Sequence, residues 1–243
     1  MKLFCFGKYG PYPKAGHACS CYMLNSQGRN IIIDLGCGAL SKVLNRLRLQ
    51  DIDAIVLSHL HADHMGDMLT LRYALSAARK MGKRSDPLSV YMPNQPIAEA
   101  LLITSNEMIN PVYISDNSIC SICGIEVSFA LMPHAVPSYA MAFRTQGKTF
   151  VYSGDTKDND RLASFAKDAD LFLMEAALLS THKTPDALHV SAVDAGRIGK
   201  EAGAKRLLIT HIFPEYDENA VLHEAKQHYP GVELIEEQKI YEV

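Results

Sequence analysis

No apolar run in this 243-residue chain approaches the roughly 20 residues that a membrane span requires. The opening MKLFCFG has one lysine and only four apolar residues before Gly7, too short for a secretory signal core. The expected compartment is therefore the cytoplasm. Charge of either sign is scarce as an excess: the formal net charge is -3, which gives no global drive toward nucleic acid or anionic membrane. Nor does any Pro/Gly/Ser-rich linker or charge block divide the chain, so residues 1–243 are read as one domain. Six cysteines in a reducing compartment are expected to be thiols. Cys19 and Cys21 alternate along a strand and Cys120 and Cys123 form a C-x-x-C beside a turn. Buried or incidental thiols are the expectation for both pairs, against a structural zinc that would require them to meet.

What is present alternates strands with helices. KLFCFG, CYMLNS and NIIIDLG read as short strands, followed by an amphipathic helix over about 41–49 and the buried strand AIVLSH. A longer helix through DMLTLRYALSAARKMG stops near Gly82. LSVYMP, GIEVSFALMPH, DADLFLMEA and KRLLITH read as further strands. PIAEALLITSNEM, VSAVDAGRIGKEAGA and ENAVLHEAKQHY read as helices, and VELIEEQKIYEV as one or two closing strands. Gln146-Gly147 is the expected turn of a hairpin between AMAFRT and KTFVYS.

The chemistry is concentrated in SHLHADH. His59, His61, Asp63 and His64 place three imidazoles and a carboxylate within six positions at the end of a buried strand, a pattern suited to divalent metal. His59 and His61 can point to one ion, Asp63 and His64 to a second. Asp155 in SGDT is the candidate bridge, projected by a glycine turn. His134 after ALMP and His211 after RLLIT, each at a strand end, would complete the two shells. Taken alone, a strand-end histidine such as His134 or His211 is more often a hydrogen-bonded structural residue, and an aspartate such as Asp155 a turn residue or helix cap. The histidine run makes the joint metal set the stronger reading.

With those residues in hand, the chain resembles the metallo-β-lactamase superfamily. Its H-x-H-x-D-H hallmark stands here as His59-Leu-His61-Ala-Asp63-His64, its later positions match His134, Asp155 and His211, and the likeness runs from Asp34-Leu-Gly36 to the terminal strand. The resemblance implies an α/β fold, a four-layer αβ/βα sandwich of two mixed β-sheets flanked by helices. It implies two divalent ions at one edge of the sheets: His59, His61 and His134 on one, Asp63, His64 and His211 on the other, Asp155 between them. His61 stands where diiron flavoproteins of the superfamily have Glu, and Asp155 where the B1 lactamases have Cys, which favours a dizinc hydrolase. Imidazole and carboxylate also suit manganese or iron. Homodimers are common in the family.

The motif LHVSA, with His189, is similar to the extra histidine motif of ribonucleases Z and related phosphodiesterases. Ser191 and Asp194 form a capping box that opens a helix beside it, a seat for phosphate. His189 either donates a proton, with a pKa near the ordinary value of about 6.5, or packs under the cap. Glu175 either orients His189 or is solvated, and Lys157 is either a phosphate counter-charge or a surface lysine. Tyr9, Tyr12 and His17 are candidates for a pocket wall. Only 20 residues separate His134 from Asp155, too few for the tRNA-binding arm of long-known ribonucleases Z. The expected activity is hydrolysis of a small or cyclic phosphodiester, or a short RNA end, by a metal-bridging hydroxide. Asp63 would orient or deprotonate the nucleophile and His189 would protonate the leaving oxygen. Rival readings are a lactone, thioester or amide hydrolase of the same fold, and a non-catalytic zinc-binding protein.

Overall fold

The computed structural model describes residues 1–243. In chain order the first sheet is made from β1 (Lys2–Gly7), β2 (Cys21–Ser26), β3 (Arg29–Ile33), β4 (Ala54–Val56), β5 (Leu88–Met92) and β6 (Ile109–Tyr113). The second comes from β7 (Ile119–Ile122), β8 (Ile125–Met132), β9 (Ser138–Thr145), β10 (Lys148–Tyr152), β11 (Leu171–Glu175), β12 (Leu207–Thr210) and β13 (Glu233–Leu234). A final strand, β14 (Ile240–Glu242), returns to the first sheet beside β1. The orders are β14-β1-β2-β3-β4-β5-β6 and β13-β12-β11-β10-β9-β8-β7. Each sheet is antiparallel over four strands and parallel over the rest.

Side chains of a strand alternate between its two faces, and here both faces are apolar. Leu3, Ile31, Ile33, Val56, Phe129, Phe143, Phe150, Leu173 and Leu208 fill the layer between the sheets. Their neighbours Phe4, Ile32 and Ile55 pack outward under α1 (Ala39–Leu44), α3 (Met68–Lys80) and α4 (Ile97–Thr104). Phe172, Leu207 and Ile209 do the same under α5 (Asp160–Phe165), α6 (Ala192–Glu201) and α7 (Glu218–Lys226). The result is the expected four layers, helices on sheet on sheet on helices. A four-residue α2 (Ala62–Met65) lies within the histidine run. No helix is long and apolar enough to cross a membrane.

Several local expectations need correction. The helix expected over 41–49 spans Ala39–Leu44, and Leu47 and Leu49 pack on the core from the turn that follows it. β6, β7 and the six-residue α5 had no counterpart in the sequence reading. Both missed strands are sheet edges, and Pro111 inside β6 is tolerated because an edge strand leaves one backbone side unpaired. The Gln146-Gly147 turn is as expected, with both φ angles positive at 52° and 70°. All six cysteines are free thiols, and none joins a cluster of three or more metal-capable side chains, so the two cysteine pairs build no zinc site.

Candidate metal centre

Each chemical residue leaves a strand at its C-terminal end. Asp34 follows β3, His59 follows β4, His134 follows β8, Asp155 follows β10, Glu175 ends β11 and His211 follows β12. Both sheets direct these ends to one edge, where two donor groups assemble. His59, His61, His134 and Asp155 form one; Asp63, His64, Asp155 and His211 form the other. All seven expected ligands therefore converge, and Asp155 belongs to both groups. Gly154, at φ +58°, makes the turn that aims Asp155; a Cβ there would stand 2.9 Å from the Tyr139 carbonyl oxygen.

The hydrogen-bond network fixes which ring nitrogens face inward. Buried Asp34 accepts from the Ser58 amide at 2.7 Å, the Ser58 hydroxyl at 2.9 Å, His64 Nδ1 at 2.7 Å and the Tyr152 hydroxyl at 2.9 Å. His64 Nδ1 must carry a proton to meet that carboxylate, so in the neutral ring that a metal ligand must be, Nε2 is the lone pair. Burial disfavours the charged form of this ring, but Asp155, Asp63 and Asp34 outweigh burial and raise its pKa well above the usual range. Because the Ser58 hydroxyl donates to Asp34, its oxygen accepts from His59 Nδ1 at 3.0 Å, and His59 Nε2 is bare too. His134 Nδ1 donates to the Leu188 carbonyl at 3.1 Å, which frees its Nε2. Asp34 itself sits at φ +55° and His211 at φ +57°, a left-handed backbone unfavourable for side-chain-bearing residues.

These nitrogens and the remaining donor atoms stand at short range from one another. His61 Nδ1 lies 3.0 Å from His59 Nε2 and 3.2 Å from His134 Nε2. Asp155 Oδ2 is 3.3 Å from His64 Nε2 and 3.2 Å from His211 Nε2, while Asp63 Oδ2 is 3.1 Å from His211 Nε2. Ligands held about 2.0–2.1 Å from a tetrahedral zinc stand about 3.3 Å apart, the same spacing. His64 Nε2, Asp155 Oδ1 and His211 Nδ1 are buried without a hydrogen-bond partner. Converging bare nitrogens and two buried carboxylates are costly without a cation, so the donor set fits bound metal.

Protonation of the first donor group points the same way. Burial, together with neighbouring imidazoles, holds His59 well below its usual range, and burial likewise lowers His61 and His134. All three are neutral at neutral pH, the form that binds metal. Burial raises Asp63, but His64 and His211 overcome it and hold the carboxyl at about 2. Asp155 is held well below the carboxylate range by His211, His64 and His59, against the opposing effect of burial.

His189 stands at the rim, with Nδ1 3.2 Å from both oxygens of Glu175 and 3.8 Å from Asp155 Oδ2. Its ring stacks on His211 at 5.3 Å. Glu175 is fully buried, not solvated, and also accepts from the Thr156 amide at 2.6 Å. Burial lowers His189, but Glu175 outweighs it and pushes the pKa up to about 9, well above the value expected from sequence. Glu175, His189 and His211 also form a third metal-capable group, although the Glu175–His189 ion pair already satisfies two of its members.

Other expectations are redirected. The N-terminus of α6 offers little to phosphate: Ser191 and Asp194 close the capping box, and the Ala192 amide donates to Leu178. Tyr9 is buried with its hydroxyl on Glu218, and His17 pairs with Glu237 at 3.1 Å. It is Gly10 from that loop that reaches the centre, since a Cβ on it would sit 2.1 Å from His211 Nε2. Lys157 is half-buried. Sequence reasoning missed Gly10 and the anchoring role of Asp34; a carboxylate ending the apolar run IIID was the available signal.

Comparison with known proteins follows the same lines. A beta-lactamase superfamily domain profile matches residues 29–212. The probable metallo-hydrolase YhfI of Bacillus subtilis is 32% identical over 212 residues, 87% of each chain. The crystal structure of that metallo-β-lactamase-fold protein superposes with a TM-score of 0.94 at 28% identity, over 99% of this chain and 98% of the other. A ribonuclease Z of Brevibacillus brevis is 24% identical over 276 residues, 86% of each chain. That alignment exceeds the 243 residues present here, so the ribonuclease carries insertions this chain lacks. The human short-form tRNase Z shares the fold, with a TM-score of 0.78 at 20% identity over 100% of this chain and 99% of the other. Between His134 and Asp155 this chain has only the β9–β10 hairpin, with no long arm. The chain belongs to the beta-lactamase superfamily, among the metallo-hydrolases that share the metallo-β-lactamase fold.

Proposed function

We propose that this chain is a two-metal phosphodiesterase that hydrolyses a small or cyclic phosphodiester, or a short RNA end. The observation that carries the reading is His189 on Glu175 at the rim of the donor set. Hydrolysis of an activated lactone or thioester needs no strong proton donor, whereas a ribose or nucleoside leaving group does. The ribonuclease Z relative adds support, and the absent arm argues for a substrate smaller than tRNA.

His59, His61 and His134 would hold one ion, Asp63, His64 and His211 the other, with Asp155 shared; zinc suits the donors best, manganese or iron less well. Bound there, two such ions would lower the pKa of water from 15.7 toward about 7 and polarise phosphoryl oxygens. Asp63, held at about 2, is better suited to orienting the attacking water by accepting its hydrogen bond than to keeping its proton. His189 holds its own proton at Nε2, since Nδ1 is committed to Glu175, and delivers it to the leaving oxygen. Six free thiols fit a reducing, cytoplasmic setting.

The test assays metal-loaded protein on bis(4-nitrophenyl) phosphate, 2′,3′- and 3′,5′-cyclic nucleotides, a lactone, a thioester and a β-lactam. Turnover of the diesters is expected, and activity confined to the lactone or thioester would overturn the reading. His189→Ala should slow a cyclic nucleotide far more than a nitrophenyl ester; equal losses would deny it the proton.

A further inference from the structure

The metal donors leave unused a set of rings on the segments that carry Gly10, His211 and His189. Tyr12 lies two residues beyond Gly10, and Phe213 two beyond His211. The two rings meet edge to face, 5.8 Å between centroids at 79°. Tyr216 continues the row, 5.0 Å from Phe213 at 61°. Its hydroxyl reaches His182 Nδ1 at 2.7 Å, with the rings 5.3 Å apart. Three separate segments contribute: the β1–β2 loop, the residues after β12, and the β11–α6 loop that also carries His189. Tyr12 is fixed by donation of its hydroxyl to Glu215 at 3.0 Å.

These rings are not core. Tyr12 is 42% exposed, His182 is exposed, and Phe213 and Tyr216 are half-buried. An aromatic side chain prefers burial, and exposed or half-exposed rings drawn into a row from the three segments that carry Gly10, His211 and His189 point to a flat ligand group. Among natural phosphodiesters the flat group is the base, which stacks on aromatic faces with little sequence preference.

We infer that Tyr12, Phe213, Tyr216 and His182 form a stacking platform for the base of a nucleotide whose phosphate lies at the metal centre. The inference rests on the phosphodiesterase reading for the position of the phosphate. It makes the substrate a nucleotide in preference to a simple sugar or alkyl phosphodiester.

Calorimetric titration of the zinc-loaded full chain with AMP and with ribose 5-phosphate separates the base from the rest. AMP should bind at least about 10-fold more tightly. Phe213→Leu and Tyr12→Leu should each cut that ratio by about 10-fold, while Tyr12→Phe keeps it. Metal content and thermal midpoint identify any variant that fails to fold, and the wild-type ratio alone still decides. Equal affinity of wild type for the two ligands would overturn the platform, as would variants that weaken both ligands alike. Base-dependent binding without diester turnover would remove the phosphodiesterase reading and leave the platform; diester turnover with no base preference would do the reverse.

Discussion

Gly10→Ala tests how tightly the metal centre is enclosed. The added Cβ would lie 2.1 Å from His211 Nε2, 2.4 Å from Cε1 and 2.6 Å from Cδ2, where ordinary contact begins at about 3.5 Å. Either the ring or the loop must therefore move by more than about 1 Å. The ring has little freedom, being stacked between His64 at 5.1 Å and His189 at 5.3 Å on a left-handed backbone. The loop is held too, by the Gly10 amide on the Ile212 carbonyl at 3.2 Å and the Ile212 amide on the Lys8 carbonyl at 2.9 Å. Metal ligands tolerate displacements of about 0.2 Å, and a 1 Å error in a reacting geometry costs about 100-fold in rate. The variant should lose at least 10-fold in metal affinity and about 100-fold in turnover, with about 1–3 kcal/mol of stability. Metal analysis after gel filtration, zinc calorimetry and thermal unfolding measure all three. Lys14→Ala, an exposed change in the same loop, should retain wild-type metal. Full metal content and turnover in Gly10→Ala would refute the enclosed geometry.

Asp34→Asn removes the carboxylate that sets the tautomers of His64 and, through Ser58, His59; metal affinity should fall about 10- to 100-fold and stability by about 3 kcal/mol, and unchanged zinc calorimetry would refute this. Chelation should lower the thermal midpoint by roughly 10 °C relative to protein held at a thousandfold excess of free zinc over Kd, about 4 kcal/mol of linkage; an identical midpoint would mean that no ion is bound. For Glu175, the folded pKa of His189 is raised from about 6.5 to about 9. The ion pair's stabilisation is therefore complete below about pH 6.5 and lost as pH rises through about 9. In metal-free protein, wild type should lose about 2 kcal/mol more than Glu175→Gln between pH 6 and pH 10 in denaturant titrations, after allowance for solvent screening of the partly exposed ring. Parallel pH profiles would remove the pair from the account.

The histidine run and the strand-end His134, Asp155 and His211 were legible because each combines an apolar strand with a chemically distinctive residue at its end. The layers were legible for a related reason, since apolar runs as short as AIV and LFLM read as strands buried on both faces. What escaped was set by contacts distant in sequence. Glu175 reads as a solvated strand end until β10 and α6 close over it. Gly10 carries no side-chain signal, and its importance lies in an imidazole 201 positions later. The pKa of His189 depends on that same buried Glu175. The capping box at Ser191 was correctly read, but its consequence was reversed, because Asp194 occupies the charge position that phosphate would need.

The chain passes between the two sheets at only two places, from β6 to β7 and from β13 to β14. His59, His61, Asp63 and His64 lie before the first passage; His134, Asp155 and His211 lie after it. Cutting the backbone at residues 114–118 would thus leave each piece with half of both donor groups and neither with a whole one. Such a pair of fragments would reassemble through the apolar layer between the sheets, and a metal bound by both donor groups would act as a further cross-link between the two halves.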